Sequence, residues 1–384
     1  RIMTPDTIAD LAQRFAREVL DPLKHAFVGK DEIIDLMGVS LAARENLFLF
    51  GPPGTAKSAL VHSLAARIHG HTFDYLLSRF TEPNELFGPF DIRRLREGDL
   101  VTNTDGMLPE ADIVFLDELL NANSAILNSL LMALNERIFR RGRETRAIPA
   151  LFFAGASNHL PEDDALRALF DRFLLRVRCG PVPENQLAQV LSAGWNLEKN
   201  EASPSANITA ADLREFQQGV RGVDLSIVRP AYLDLVLKLR HAGMDISDRR
   251  AVRLQRVVAA SALLCGRMEA RVSDLWVLRH VWDREEQIEI IESIVAATLA
   301  SESQDSADHP QAHVHRAPDP DVIARGLDDV EARLARDPDD MAAADELRSL
   351  ANRLEWLAAG VARDSLNQRV SALWKKINRP AQTS

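Results

Sequence analysis

The sequence predicts an α/β fold, a parallel sheet with helices on both faces, followed by an all-helical region and a helical C-terminal arm. Three observations carry this. Short apolar runs alternate with helical patterns up to about residue 177, as a parallel sheet built from strand–helix units requires. Acidic or polar residues stand at the C-terminal ends of those runs, where open α/β sheets bind ligands. From about residue 183 onward the apolar periodicity is helical only.

Taken in order, residues 4 to 20 follow Thr4-Pro5 with Ile8, Leu11, Phe15 and Val19 at spacings of three and four, one face of a helix. Residues 1–22 are therefore an N-terminal helix packed on the main domain. Phe27-Val28-Gly29 separates it from a helix over about Lys30 to Arg44, whose apolar face is Ile33, Ile34, Met37 and Leu41. The strand Leu47 to Phe50 then runs straight into Gly51-Pro52-Pro53-Gly54-Thr55-Ala56-Lys57-Ser58, and Ala59 to Ile68 is helical again. A glycine-bearing loop between a buried strand and a helix start turns successive backbone N–H groups inward, and the helix dipole adds to them. Such a loop binds polyphosphate. Lys57 reaches the β- and γ-phosphates, and the Ser58 hydroxyl is placed to hold Mg²⁺. The P-loop pattern asks for Gly before the lysine, and Ala56 stands there; the loop tolerates it if Ala56 already has the ordinary backbone of a helix start.

Phe73 to Leu77 is the next strand and Pro83 to Phe87 a short helical piece. Phe90 to Thr102 reads as a small hairpin-like insertion about Gly98-Asp99, its Arg93, Arg94 and Arg96 forming a solvated face in preference to a partner contact. Ile113 to Glu118 is an apolar run ending in two carboxylates: Asp117 serves the Mg²⁺, and Glu118 polarises the attacking water. A helix over Ser124 to Glu136, capped by Ser124, precedes a turn crowded by Arg140, Arg141, Arg143 and Arg146. Ala150 to Asn158 is a buried strand whose terminal Asn158 either orients a water against the γ-phosphate or makes an Asx turn into His159-Leu160-Pro161. Asp163 to Phe170 is helical, and Asp171-Arg172-Phe173 opens a last strand through Val177.

Totals narrow the functional classes. A chain of 384 residues is long enough for two or three domains. The formal charge of -10 makes nucleic acid a poor partner. The two cysteines, Cys179 and Cys265, have no paired spacing and read as core residues. With no membrane-length apolar stretch and no signal-peptide pattern, the expectation is a cytoplasmic protein.

Taken together, Gly51 to Ser58, Ile113 to Glu118, Ala156-Ser157-Asn158 and Leu169 to Phe173 resemble the AAA+ ATPases. Within them the chain is most similar to the MoxR group, RavA-type members above all. The Ala-Lys-Ser loop ending, Arg79-Phe80 with Phe87-Gly88-Pro89, Gly106 to Pro109 and Leu134 to Arg137 carry that likeness. The resemblance covers about residues 20 to 300 and implies Mg²⁺-dependent ATP hydrolysis in a hexamer, coupled to remodelling of protein partners. It implies Asn158 as the sensor 1 residue and Arg172 as an arginine finger offered to a neighbouring subunit. Arg249 in Ser247-Asp248-Arg249 is implied as sensor 2, with Arg250 as the competing choice, and Val28 and Gly29 lie beside the adenine. Gly51 to Ala59 with Asp117 hold the nucleotide, and a protein with a von Willebrand factor A (vWA) domain is the implied partner. The domain boundaries follow as 1–22, the nucleotide-binding core 23–182, the lid 183–300, a linker 301–320 and the arm 321–384. A nucleic-acid motor or loader is the alternative from another class, and a non-hydrolysing nucleotide-gated scaffold a third.

The linker is rich in Ser, Asp, His and Pro, and its His309, His313 and His315 read as residues of a flexible segment rather than metal ligands. Beyond it Leu347, Leu350, Leu354, Leu357 and Val361 form a seam, read as one side of a helical hairpin with Val322 to Leu334 across the break at Pro338.

Overall fold

The computed structural model describes residues 5–199, 208–300, 305, 307–314, 320–336, 340–354 and 361–377. The chain divides after His313 into two compact units.

The first unit begins with α1 (Pro5–Phe15), a π-helical turn (Ala16–Leu20) and α2 (Asp21–Ala26), so the expected single N-terminal helix is one continuous run with a local bulge. It packs through Phe15 against Phe216, ring centroids 6.1 Å apart. Next come α3 (Asp31–Ala43), β1 (Leu47–Phe50), α4 (Lys57–Arg67), β2 (Thr72–Leu76), α5 (Pro83–Phe87), α6 (Ile92–Arg96) and β3 (Ile113–Asp117). They are followed by α7 (Ser124–Glu136), β4 (Ile138–Arg141), β5 (Glu144–Ala147), β6 (Phe152–Ser157), α8 (Asp164–Phe170) and β7 (Leu175–Arg178).

Five of these strands form one parallel sheet in the order β2-β3-β6-β1-β7. Every residue of β1 and β6 is buried, which is why their sequences are continuous apolar runs rather than alternations: helices cover both faces. The register pairs Phe50 with Ser157 and Leu116 with Gly155, so the C-terminal ends of β1, β3 and β6 lie side by side.

Three local expectations are corrected. The insertion at 90–102 closes through a single bridge, Phe90 to Thr102, and its middle is α6, because Asp91 accepts hydrogen bonds from Arg93 N and Arg94 N and starts a helical turn where a strand was expected. The true hairpin is β4–β5, in the arginine-rich stretch read as a turn; its Gly142 has φ +60°, as a tight hairpin connection needs. The cap of α7 is Asn123, not Ser124, through bonds from Ala125 N and Ile126 N.

Five helices follow: α9 (Leu187–Lys199), α10 (Ala210–Gly219), α11 (Arg229–His241), α12 (Asp248–Leu264) and α13 (Gln287–Leu299). Gln217 on α10 donates to Leu41 O at 2.7 Å and to Leu151 O at 3.0 Å, which fastens this helix to the sheet layer. Part of the expected linker is not flexible. Residues 310–313 form a 3-10 turn; His309 stacks on Trp276 with centroids 4.7 Å apart, and Gln311 donates to Asp35 at 2.8 Å. The apolar surface of Trp276 and the backbone-bonding Arg267 and Arg279 explain the difference, since they hold Ala307 O and Gln311 O. His309 is buried and His313 faces Asp308; His315 lies outside the described residues. Among the described residues there is no group of side chains placed to hold a metal ion by His, Cys, Asp or Glu clustering.

The second unit is a bundle of three helices, α14 (Pro320–Arg336), α15 (Met341–Leu354) and α16 (Val361–Ile377). Leu347, Leu350 and Leu354 are buried against Ile323, Leu327 and Val330, as a hairpin predicts, but Leu366, Val370 and Leu373 of a third helix complete the core. Val361 heads that helix instead of extending the seam, and Leu357 lies outside the described residues.

Candidate functional site

The site is built on the C-terminal edge of the sheet. Gly51 N donates to Ser157 O at 3.0 Å, so the phosphate loop leaves β1 directly beside the end of β6. No side chain fits at Gly51, because a Cβ there would lie 2.2 Å from the Cys179 carbonyl oxygen. Thr55 Oγ1 donates to Pro52 O at 2.9 Å, and Lys57 Nζ donates to Gly51 O and Pro52 O at 2.7 and 2.9 Å. The loop thus wraps its own ammonium group. Pro53, Gly54, Ser58 and Ala59 are exposed around it.

Ala56 departs from expectation. It sits at φ +64°, ψ +20°, ahead of the helix, which starts at Lys57. A left-handed alanine costs about 1 kcal/mol, so the residue takes the shape of the glycine it replaces rather than avoiding it.

Asp117 ends β3, and its Oδ1 accepts from Glu118 N at 2.9 Å. Glu118 is the second left-handed residue of the site, at φ +49°. The chain turns out of the strand there, and both acids are half-buried. Asn158, exposed, follows β6 between them and the loop. With strands about 4.8 Å apart, the β3 and β1 ends are separated by roughly 10 Å. Backbone donors, Lys57, a Ser58 hydroxyl and two carboxylates across that span suit the oxygen-rich chemistry of a magnesium polyphosphate.

On the other side of the loop, Gly29 has φ +73° and lies against Val182 and the Gln186 side chain, with half-buried Val28 beside it. Lys30 Nζ donates to Gly180 O at 2.6 Å, and burial holds its ammonium below the usual lysine range. This joins residues 28–30 to the chain leaving β7.

Arg172 is not gathered here. It precedes β7 at the opposite edge of the sheet, roughly 15 Å from the loop along a strand. Among the described residues its guanidinium makes no ion pair; Asp171 pairs with Arg176 instead. Arg250 is engaged by Asp283 at 2.9 and 3.2 Å and by Asp245 O, whereas Arg249 is exposed at the start of α12.

Sequence reasoning missed a buried polar group at that opposite edge. Glu45 takes Arg253 and, at 3.9 Å, Arg256 from α12, and Asn46 bonds Leu134 O, Arg172 O and Arg137. The signal was present as a charged and an amide residue set directly before an apolar strand, at the end where ligands are not sought.

A P-loop, an acid pair at the next strand end and a polar residue between them, on a sheet of this order with a helical region beyond, define an AAA+ nucleotide-binding protein. Residues 14–218 match the family described as the MoxR domain in the MoxR–vWA–β-propeller ternary systems, and residues 231–295 match an AAA lid domain. The chain belongs to the MoxR family of AAA+ ATPases. An uncharacterised protein of Methanocaldococcus jannaschii is 36% identical over 285 residues, covering 72% of this chain and 73% of the relative. The chaperone MoxR1 of Mycobacterium tuberculosis is 29% identical over 172 residues, 43% of this chain and 44% of its own. The crystal structure of a putative ATPase from Cytophaga hutchinsonii shares the fold with a TM-score of 0.61, at 17% identity, over 75% of this chain and 95% of that one. Among the described residues, no helix is long and apolar enough to cross a membrane.

Proposed function

We propose that this chain hydrolyses ATP with Mg²⁺ as an oligomer, a hexamer by family resemblance, and uses the cycle to remodel a protein partner in the cytoplasm. The observation that carries the reading is the side-by-side placement of the Lys57 loop, Asp117-Glu118 and Asn158 at three neighbouring strand ends.

Gly51 to Ala59 wrap the phosphates with backbone donors, and Lys57 leaves its loop carbonyls for the β- and γ-oxygens. Ser58 and Asp117 hold the Mg²⁺, which when bound neutralises phosphate charge. Glu118 takes the proton of the attacking water, and Asn158 orients that water. Val28 and Gly29 border the base. Arg172, without an ion pair among the described residues and a strand length away, acts on a neighbouring subunit's γ-phosphate, which makes turnover depend on assembly. Arg249 contributes from the lid, since Arg250 is committed to Asp283. The ternary systems for which the family is described supply the partner class, a protein with a vWA domain.

The test is capture from cell extract by the Glu118→Gln chain with ATP, compared with Lys57→Ala. Enrichment of a vWA-domain protein only on the ATP-locked chain supports the reading. Enrichment of nucleic acid alone, or equal capture by both chains, sinks it.

A further inference from the structure

The geometry points to Asn46 as a positioning residue for Arg172, held in place by Arg137. This rests on the reading of Arg172 as the arginine that completes a neighbour's site.

Three bonds meet on one buried amide. Asn46 Nδ2 donates to Arg172 O at 2.8 Å and to Leu134 O at 3.2 Å, and Asn46 Oδ1 accepts from Arg137 Nη2 at 2.8 Å. The oxygen is fixed by a guanidinium that can only donate, so the NH₂ must face the two carbonyls; the amide has one orientation. Arg137 is itself held rigidly. Its guanidinium stacks 4.2 Å over the Phe153 ring, its backbone is left-handed at φ +55°, and it is buried with Nη1 unbonded. Burial, with Arg44 and Arg253 nearby, lowers it to about 9. A strained, desolvated arginine of this kind is expensive for the fold, and its one side-chain hydrogen-bond partner among the described residues is Asn46.

What Asn46 fixes is the backbone at residue 172, in the short connection between α8 and β7. Arg172 N is bonded to Leu169 O at 3.1 Å, so both sides of the residue's backbone are tied, while its guanidinium, with Nε buried, makes no hydrogen bond or ion pair among the described residues. A long side chain meant to act on another subunit needs a fixed root, because an ångström of displacement costs about 10²-fold in rate. Arg137 also directly precedes β4, and the neighbouring Glu45 receives Arg253 and Arg256 from α12, so the root of the β4–β5 hairpin and the lid helix both meet the Glu45-Asn46 pair.

The experiment compares full-length wild type, Asn46→Asp, Arg137→Lys and Arg172→Ala, measuring ATP turnover against ATP concentration and binding of a fluorescent ATP analogue. Aspartate keeps an acceptor for Arg137 and turns an oxygen toward Arg172 O. We expect Asn46→Asp to lower kcat about tenfold or more, with KM and analogue affinity within twofold of wild type. Mixed with Lys57→Ala, whose Arg172 and Asn46 are intact, it should recover turnover above the sum of the two chains alone. If Asn46→Asp does not fold, Arg137→Lys carries the same kcat and mixing test with a smaller loss. Unchanged kcat in Asn46→Asp while Arg172→Ala is inactive overturns the role of Asn46; so does loss of analogue binding, or a mixture no better than its parts. Wild-type turnover in Arg172→Ala fails the arginine reading instead, separately from Asn46.

Discussion

The two edges of the five-stranded sheet hold similar residues under opposite rules. At the C-terminal edge Lys57, Glu118 and Asn158 are left with few or no protein partners beyond their own loops, and two residues, Ala56 and Glu118, are held in left-handed conformations. At the N-terminal edge Glu45, Asn46, Asp112 and Arg137 are buried, and each is bonded across elements, Asp112 to Arg214 and to His71 N. The polar groups beside the phosphate loop are bonded within their own loops or exposed, as Lys57 and Asn158 are. The polar groups of the other edge are buried and bonded across elements, apart from the unbonded Arg137 Nη1, and left-handed backbone occurs there too, at Arg44 and Arg137.

If that contrast is right, substitutions at one edge act on turnover and those at the other on stability. The largest effect is expected of Glu118→Gln, a loss of about 10²-fold or more in phosphate release with little change in the unfolding midpoint. A matching fall in stability would erase the distinction. At the other edge, Glu45→Ala strands Arg253 and Arg256 and should cost about 3 kcal/mol in urea unfolding. A cost near zero would mean that the edge is not closed in the way described.

Away from both edges, His309 offers a smaller, pH-dependent contrast. Burial against Trp276, with Lys24 and Arg267 nearby, pushes its imidazole down to about 3 against the opposing pull of the Asp274 carboxylate. Between pH 6.5 and about 3 the unfolded chain takes up a proton that the folded chain refuses, so stability falls as pH falls. At pH 5 the loss is about 2 kcal/mol, and His309→Gln should flatten that part of the pH–stability profile. The smallest effect is Ala56→Gly, which removes the left-handed penalty and should stabilise by at most about 1 kcal/mol, seen as a small rise in the unfolding midpoint without change in kcat.

The open edge was legible because its residues obey a linear pattern: apolar strand, then Gly51 to Ser58, or apolar strand, then Asp117-Glu118. The sheet and most helix positions followed from the same periodicities. The closed edge was hidden because its partners are far apart in sequence: Asn46 meets Arg137 and Arg172, and Glu45 meets Arg253. No local spacing encodes such meetings. Ala56 was misread for a different reason, since a preference for ordinary backbone is a local rule that the loop overrides. The 307–313 segment misled by composition: Ser, Asp, His and Pro in and around it suggest a linker, but Trp276 gives His309 a surface to lie on.

Gly155, in the middle of β6, joins the two edges. A methyl group there would come within 2.7 Å of Leu119, the residue after Glu118, and within 2.8 Å of Phe173, the residue after Arg172. On the proposed reading, the residue after the carboxylate a subunit uses for itself and the residue after the arginine it lends both lie against the same bare spot of backbone. In the proposed ring, a change at that spot would alter every member as giver and as receiver together, so the two roles could not be adjusted one at a time from there.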